Sequence, residues 1–245
     1  MPREKLVCQG KTGYNGAEEV MDMTFPVQAI AHIQSSFPTK FGVPRQSGLA
    51  PALEATVVFT PEFRSADALR GLEDFSHLWL IWVFDRSIRE TWSPTVRPPR
   101  LGGNQRMGVF ATRSPFRPNP IGLSCVELAG IEATGEGPVL HVRGADLVDG
   151  TPILDIKPYI PYADSRPDAR SGFAPGPAET LEVEIPPALL ERIPPSQREA
   201  LREVLAQDPR PSYQNDPERV YGFGFAGMEV KFSVSQGRVF VVDVV

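Results

Sequence analysis

The chain has 245 residues, of which 41% are hydrophobic and 22% charged, and its formal net charge at pH 7 is -5. This composition is typical of a globular protein and excludes a disordered chain. A helical membrane protein is excluded because no run of about 18 apolar residues is present. The 26 prolines and 21 glycines favour a turn-rich β protein over a helical bundle.

The N-terminal segment, residues 1–22, is polar and lacks the apolar stretch of a signal peptide. We therefore expect a loose leader at 1–22 and a cytoplasmic protein. The two cysteines, Cys8 and Cys125, support neither a disulfide framework nor a zinc site, and the three histidines lie far apart. We expect no bound metal and no contact with a membrane.

Residues 23–165 contain short strand-like runs separated by turn residues, and a mainly β fold is expected. The candidate strands are 25–33, 53–59, 78–84, 107–112, 121–131, 139–147 and 151–156, with a candidate short helix at 66–75. The apolar run 78–84 is typical of a strand buried on both faces. Six or so strands at short spacing predict a closed or nearly closed β-barrel, with Trp79, Trp82, Phe84 and Phe110 in its core.

The remainder of the chain predicts a linker and a second, smaller domain. Residues 166–179 are rich in proline, alanine, glycine and charge, which is typical of a linker. In 180–245 a strand is followed by a helix at 196–207, where Ser196 and Glu199 form a capping-box pattern. Two alternating runs around 235–237 predict a closing hairpin, so this part is expected to be a small α+β domain.

One proline-rich loop carries most of the functional information. Residues 107–125 read MGVFATRSPFRPNPIGLSC, in which three prolines restrict the backbone around Arg113, Phe116 and Arg117. Each proline fixes φ, so the loop has fewer unfolded conformations to lose when it becomes ordered. A guanidinium offers a planar set of donors that suits a carboxylate, a phosphate or a base. The loop therefore predicts a preorganised binding site.

Arginines are concentrated in one part of this acidic chain. Residues 86–120 hold a single acidic residue, Glu90, against arginines at 86, 89, 97, 100, 106, 113 and 117. Local positive charge of this kind can bind nucleic acid through its phosphates. The alternative is a solvated arginine-rich loop, and the residues alone leave both interpretations open.

Three carboxylates occur in the apolar segment ADLVDGTPILDIKPY. Asp149 precedes a glycine and is typical of a turn residue. Asp155 lies between two aliphatic residues, where a turn does not explain it, so we expect it to be buried beside an arginine or lysine. Together with Asp146, these carboxylates could bind the cationic groups of a zwitterionic ligand, although structural ion pairs would give the same pattern.

Four ungapped blocks resemble the TrmO family, formerly the TsaA-like or YaeB-like proteins. The blocks are FGVPRQSGL (41–49), GLEDFSHLWLIWVF (71–84), TRSPFRPNPIGLS (112–124) and ADLVDGTPILDIKPYIPYAD (145–164). The resemblance covers 25–165 and is weaker beyond 180. It implies a β-barrel S-adenosylmethionine-dependent tRNA methyltransferase with a small α+β C-terminal domain, which works as a homodimer with the cofactor near the subunit interface. The implied substrate is N6-threonylcarbamoyladenosine at position 37 of the anticodon loop, methylated on N6.

The resemblance also implies a set of cofactor contacts. They are Pro44, Arg45, Gln46, Asp85, Arg86, Arg113, Leu123, Asp146, Leu147, Val148 and Asp149. Many family members carry a histidine where this chain has Asp85, so the contact there is expected to differ in charge. Because the N6 of the substrate is a poor nucleophile while it keeps its proton, either a general base or help from the substrate's own carboxylate is expected, and Asp155 is the protein candidate for the base.

The anticodon loop of the tRNA is expected to bind the arginine-rich stretch. Phosphates would contact Arg86, Arg89, Arg106 and Arg117, and an unpaired base would stack on Phe116. Two rival functions remain open from the residues. One is a non-enzymatic β-barrel adaptor that binds RNA or an acidic partner, and the other is a methyltransferase with a different acceptor.

Overall fold

The computed structural model describes residues 24–211, 214 and 216–245, so the predicted leader at 1–22 lies outside the described residues. In chain order the strands are β1 (Ala31–Gln34), β2 (Glu54–Phe59), β3 (His77–Val83), β4 (Thr95–Val96), β5 (Met107–Gly108), β6 (Ile121–Thr134), β7 (Gly137–Arg143), β8 (Pro152–Pro158), β9 (Glu182–Glu184), β10 (Tyr221–Phe225), β11 (Met228–Ser235) and β12 (Arg238–Val244). The α-helices are α1 (Pro161–Asp164), α2 (Pro187–Leu190) and α3 (Arg198–Ala206).

Six strands close into a barrel in the order β1-β2-β7-β6-β3-β8, and every neighbouring pair is antiparallel. Alternate residues point inward, so Val57, Leu80, Leu140 and Ile153 are fully buried in one core. The mainly β fold with a closed barrel is therefore confirmed. β3 differs from its prediction, because Trp79 and Ile81 on the outer face are only partly buried.

The antiparallel order places three long connections at the same end of the barrel. Residues 35–53 join β1 to β2, residues 84–120 lead from β3 to β6, and residues 144–151 join β7 to β8. We call this the loop end of the barrel. Nearly all the predicted site residues lie in these connections.

A four-stranded sheet in the order β10-β11-β12-β9 forms the C-terminal part, with α3 packed in its core. The predicted hairpin is confirmed by β11 and β12, whose turn places Gln236 and Gly237 at positive φ. The capping box is wrong. The α3 helix begins at Arg198 without a side-chain cap, because a 3-10 turn at Pro195–Gln197 already contains Ser196.

Two further predictions of local structure are wrong. The expected helix at 66–75 is a pair of 3-10 helices, Ala66–Leu69 and Leu72–Asp74, separated by Gly71 in a left-handed conformation that glycine favours. The expected strand at 107–112 is limited to β5, after which a 3-10 helix, Val109–Ala111, turns the chain. Phe110 consequently points outward and is 73% exposed, instead of lying in the core.

The connection 35–53 belongs to the C-terminal core as much as to the barrel. Phe37, Ala50 and Leu53 pack with the aromatic residues of β10 and β11. Polar bonds add to this contact: the Ala226 amide donates to the Ser36 carbonyl at 2.8 Å, and the Ala52 amide donates to Glu203 Oε2 at 2.7 Å. The predicted linker, 166–179, contains neither helix nor strand, and the domain boundaries stay a prediction.

A substitution at Gly42 can test the packing of the 35–53 connection against the C-terminal sheet. Gly42 has φ +94, and a Cβ there would lie 2.4 Å from the Phe223 ring. We expect Gly42→Ala to lower the free energy of unfolding by about 1–3 kcal/mol more than Gly103→Ala does. Gly103 is the matched control, because it also has positive φ but meets nothing within 4 Å. Urea denaturation measures both, and equal midpoints would contradict the packing of 35–53 against the C-terminal sheet.

Candidate cofactor-binding site

Arg113 and Gln46 meet at the loop end of the barrel. Arg113 Nη1 donates to Gln46 Oε1 at 2.5 Å, which links the proline-rich loop to the 44–46 turn. Gln46 also donates to the carbonyl of Arg45, while Pro44 is buried beneath the turn. Both side chains of the Arg113–Gln46 pair remain exposed, so they are accessible to a ligand.

A buried polar chain leads to Asp146 beside this pair. Trp82 Nε1 donates to Ser124 Oγ at 3.0 Å, and Ser124 Oγ donates to Asp146 Oδ1 at 2.5 Å. Burial raises the pKa of Asp146 to about 6, and hydrogen bonds from Ser124 and from backbone amides, together with the charge of Arg113, partly oppose this rise. This series of hydrogen bonds requires glycine at position 122, because a Cβ there would lie 2.2 Å from the Trp82 indole.

Arg86 links two of the connections to the exit of β3. Its Nη1 donates to the Pro38 carbonyl and its Nη2 to the Asp149 carbonyl, each at 2.8 Å. Lys40 Nζ in turn donates to the Arg86 carbonyl at 2.8 Å. These donors are used within the protein, so Arg86 holds the loops in place. Asp85, the residue before it, is exposed at the start of a 3-10 helix.

The 146–149 segment is the third part of the chain at the loop end that carries predicted site residues. Leu147 is buried, and its carbonyl accepts a hydrogen bond from Ser35 Oγ at 2.9 Å, while Val148 is partly buried. Asp149 Oδ1 accepts from the Ser35 amide at 3.0 Å, and the next residue, Gly150, has φ +79. The turn interpretation of Asp149 is thereby confirmed.

Leu123 and Asp155 lie apart from this cluster, on the outer face of the barrel. Both are register partners of Ile81, and Leu123 faces away from its neighbour Ser124, which contacts Asp146. Asp155 pairs with Lys157 Nζ at 2.8 Å, but its side chain is 45% exposed. The expected cationic partner is present and the expected burial is wrong, because a β-bulge between Ile81 and Trp82 shifts the register of β8 at this point.

The residues predicted to bind RNA have different environments. The Arg89 guanidinium lies 3.6 Å from the centre of the Phe116 ring and covers one of its faces. Arg117 Nη1 donates to the Thr112 carbonyl at 3.1 Å and so holds its own loop. Arg106 is exposed, and its polar contact is a long one of 3.5 Å to Thr95 Oγ1.

Sequence reasoning missed Ser124 and Ser47. The Ser47 hydroxyl accepts a hydrogen bond from the Cys125 amide at 3.1 Å. A hydrogen bond from the Ser47 backbone amide lowers the pKa of Asp146 and so opposes part of the rise caused by burial. A serine at an inward position of an apolar strand was the available signal for Ser124, because a buried hydroxyl requires a partner.

Neither a membrane-spanning helix nor a metal-binding cluster occurs among the described residues. In the part of the chain that the structure describes, no helix is both long and apolar enough to cross a membrane. Within 24–211, 214 and 216–245, no group of three or more histidine, cysteine or acidic side chains could hold a metal ion.

Comparison with known proteins gives a consistent family. The model of the tRNA-methyltransferase O N-terminal domain matches residues 32–165, and that of the TrmO C-terminal domain matches 178–245. An Escherichia coli protein named tRNA (adenine(37)-N6)-methyltransferase is 46% identical over 231 residues, which are 90% of this chain and 98% of that protein. An Eikenella corrodens protein of the same name is 52% identical over 68% of this chain and 95% of its own length.

The fold agrees with this result. A crystal structure of TrmO from Pseudomonas aeruginosa superimposes with a TM-score of 0.75 at 38% identity, covering 91% of this chain and 99% of that one. The identity is well above the level at which only a fold is shared, and both domains are matched in order. The chain therefore belongs to the tRNA-methyltransferase O family.

Proposed function

We propose that this protein methylates N6 of N6-threonylcarbamoyladenosine at position 37 of the tRNA anticodon loop, with S-adenosylmethionine as the methyl donor. Family membership and the names of its relatives carry the coarser statement: the protein is an S-adenosylmethionine-dependent tRNA methyltransferase that acts on adenine 37. The threonylcarbamoyl group is the finer part of the proposal. The observation that supports a site for the cofactor is the convergence of Arg113, Gln46 and Asp146 at one end of the barrel.

The residues present fit the cofactor. S-adenosylmethionine carries a sulfonium, an ammonium and a carboxylate, so its site needs both acceptors and donors. Asp146 is a partly buried carboxylate whose ionisation is costly, and a bound cation would reduce that cost. Arg113 and Gln46 supply exposed polar groups next to it. When bound, S-adenosylmethionine supplies the methyl group.

Catalysis then depends on what the protein does to N6. Its residues have to hold N6 in line with the methyl carbon, so that the N6–carbon bond forms as the sulfur–carbon bond breaks. The N6 proton must leave, and Asp155 stays our candidate to accept it. Since Asp155 lies on the outer face with Leu123, its role requires that a second subunit bring that face to the substrate.

A homodimer is accordingly part of the proposal. Ile121 and Leu123 are 45% and 52% exposed on the outer face of β6, an apolar surface that a second copy could cover. We expect Leu123→Asp to convert the dimer into a monomer in sedimentation experiments, with Val242→Asp on the C-terminal sheet as the control that leaves it intact. A protein that sediments as a monomer before any substitution would contradict the dimer. A cytoplasmic location belongs to the same proposal, because the substrate is tRNA.

The function is tested by mass spectrometry of tRNA nucleosides before and after incubation with protein and cofactor. We expect a methyl group on N6-threonylcarbamoyladenosine. Equal methylation of tRNA that lacks the threonylcarbamoyl group would contradict the finer proposal. No methylated nucleoside at all would favour the adaptor.

Arg113 and Arg89 should separate cofactor binding from tRNA binding. Arg113→Ala is expected to abolish methylation and weaken S-adenosylhomocysteine binding by about 10- to 150-fold, because one charge-assisted hydrogen bond is worth about 1.5–3 kcal/mol. Arg89→Ala is expected to weaken mainly tRNA binding. Calorimetry with S-adenosylhomocysteine and a tRNA filter-binding assay measure the two effects, and full cofactor affinity in Arg113→Ala would refute the assignment.

The raised pKa of Asp146 predicts that cofactor affinity depends on pH. If its carboxylate balances a cationic group of the cofactor, affinity is full above the pKa of about 6 and falls as pH drops through that value. The folding stability of the cofactor-free protein depends on pH in the opposite direction. The folded state loses stability as pH rises from about 4 to 6, because it binds the Asp146 proton more tightly than the unfolded chain does. We expect Asp146→Asn to bind the cofactor weakly and without this pH dependence. Unchanged pH profiles by calorimetry would exclude the role.

A further inference from the structure

Two aromatic side chains beside the site are exposed to solvent. The ring centroids of Trp92 and Phe110 are 6.3 Å apart with an interplanar angle of 32°, and the residues are 42% and 73% exposed. Neither belongs to one of the two hydrophobic cores of the described residues. Large aromatic side chains that are paired yet exposed commonly mark a binding surface.

Backbone bonds hold this pair in place. β4 and β5 pair through Thr95 and Gly108, and the Val109 amide donates to the Pro94 carbonyl at 2.9 Å. These contacts fix the chain that follows Trp92 against the start of the 3-10 helix that carries Phe110. Three residues of chain span at most about 11 Å, so Phe110 lies within that distance of Arg113, measured between their Cα atoms. The aromatic pair is therefore adjacent to the proposed cofactor site.

The charges around the pair favour RNA as its ligand. The pair belongs to the stretch 86–120, in which seven arginines face one acidic residue. Arg97 is exposed and makes no hydrogen bond or ion pair with any residue that the structure describes, and Arg106 has only a long contact. Such guanidinium groups are available for phosphates, whereas an apolar protein partner would not require them.

We propose that Trp92 and Phe110 stack on an unpaired base of the anticodon loop, next to the adenosine that is methylated, while Arg97 binds a neighbouring phosphate. This inference rests on the proposed function, because it requires tRNA as the substrate. It adds a second stacking surface to Phe116, one face of which is already covered by Arg89. Stacking on an aromatic face tolerates any base, so the pair would grip the loop without selecting its sequence.

The test measures binding of an anticodon stem-loop RNA to the full chain. We expect Trp92→Ala and Phe110→Ala each to weaken RNA binding about tenfold while the affinity for S-adenosylhomocysteine is unchanged. Phe25→Ala is the matched control, because Phe25 is 77% exposed and lies outside the arginine-rich stretch. Trp92→Phe should keep the RNA affinity, since the phenyl ring still stacks. It should lose the RNA-induced quenching of tryptophan fluorescence, because the indole at position 92 is removed.

Salt dependence separates stacking from phosphate binding. Trp92→Ala should leave the slope of log K against log salt unchanged, whereas Arg97→Ala should reduce it by about 0.7. Wild-type RNA affinity in both aromatic variants, in an enzyme that still methylates tRNA, would overturn the stacking inference alone. An unsubstituted protein that neither binds the stem-loop nor methylates tRNA would overturn the proposed function, and the stacking inference with it.

Discussion

Antiparallel closure of the barrel is the constraint on which the rest of the structure depends. Because each of the six strands runs opposite to both neighbours, the ends of β1, β3 and β7 and the starts of β2, β6 and β8 share one rim. Segments that are separated by up to about a hundred residues along the chain therefore meet there. Gln46, Arg113 and Asp146 come together for this reason, and each is carried by a different connection.

The loops at this rim are held by contacts within the protein. The connection 35–53 lies in the C-terminal core, where Phe37 is fully buried and Gly42 contacts the Phe223 ring. Arg86 ties the 35–53 and 144–151 connections together through two carbonyls. A site built in this way loses little conformational entropy when a ligand binds, and the C-terminal sheet contributes to this order through its packing against the 35–53 connection.

Much of this could be predicted from the sequence, and the failures have physical causes. The barrel strands and the final hairpin follow from hydrophobic patterning, and a hydrogen bond between Arg113 and Gln46 joins two of the predicted site segments. The Ser124–Asp146 bond could not be predicted, because it depends on which face of β6 points inward and on register across the barrel. The strand-like run around Phe110 predicts a core position, but a 3-10 helix interrupts the strand there and the side chain is exposed.

The arginine-rich stretch shows why composition alone overstates a nucleic-acid surface. Of its seven arginines, Arg86, Arg100 and Arg117 donate to backbone carbonyls, and Arg89 covers an aromatic ring. Arg113 contacts Gln46, which leaves fewer side chains free to bind phosphates. A protein of net charge -5 can nevertheless bind RNA, because the potential at the loop end is set by local charges within about one Debye length of about 10 Å. The structural arginines still contribute to that potential, since a guanidinium that donates to a carbonyl keeps its full charge.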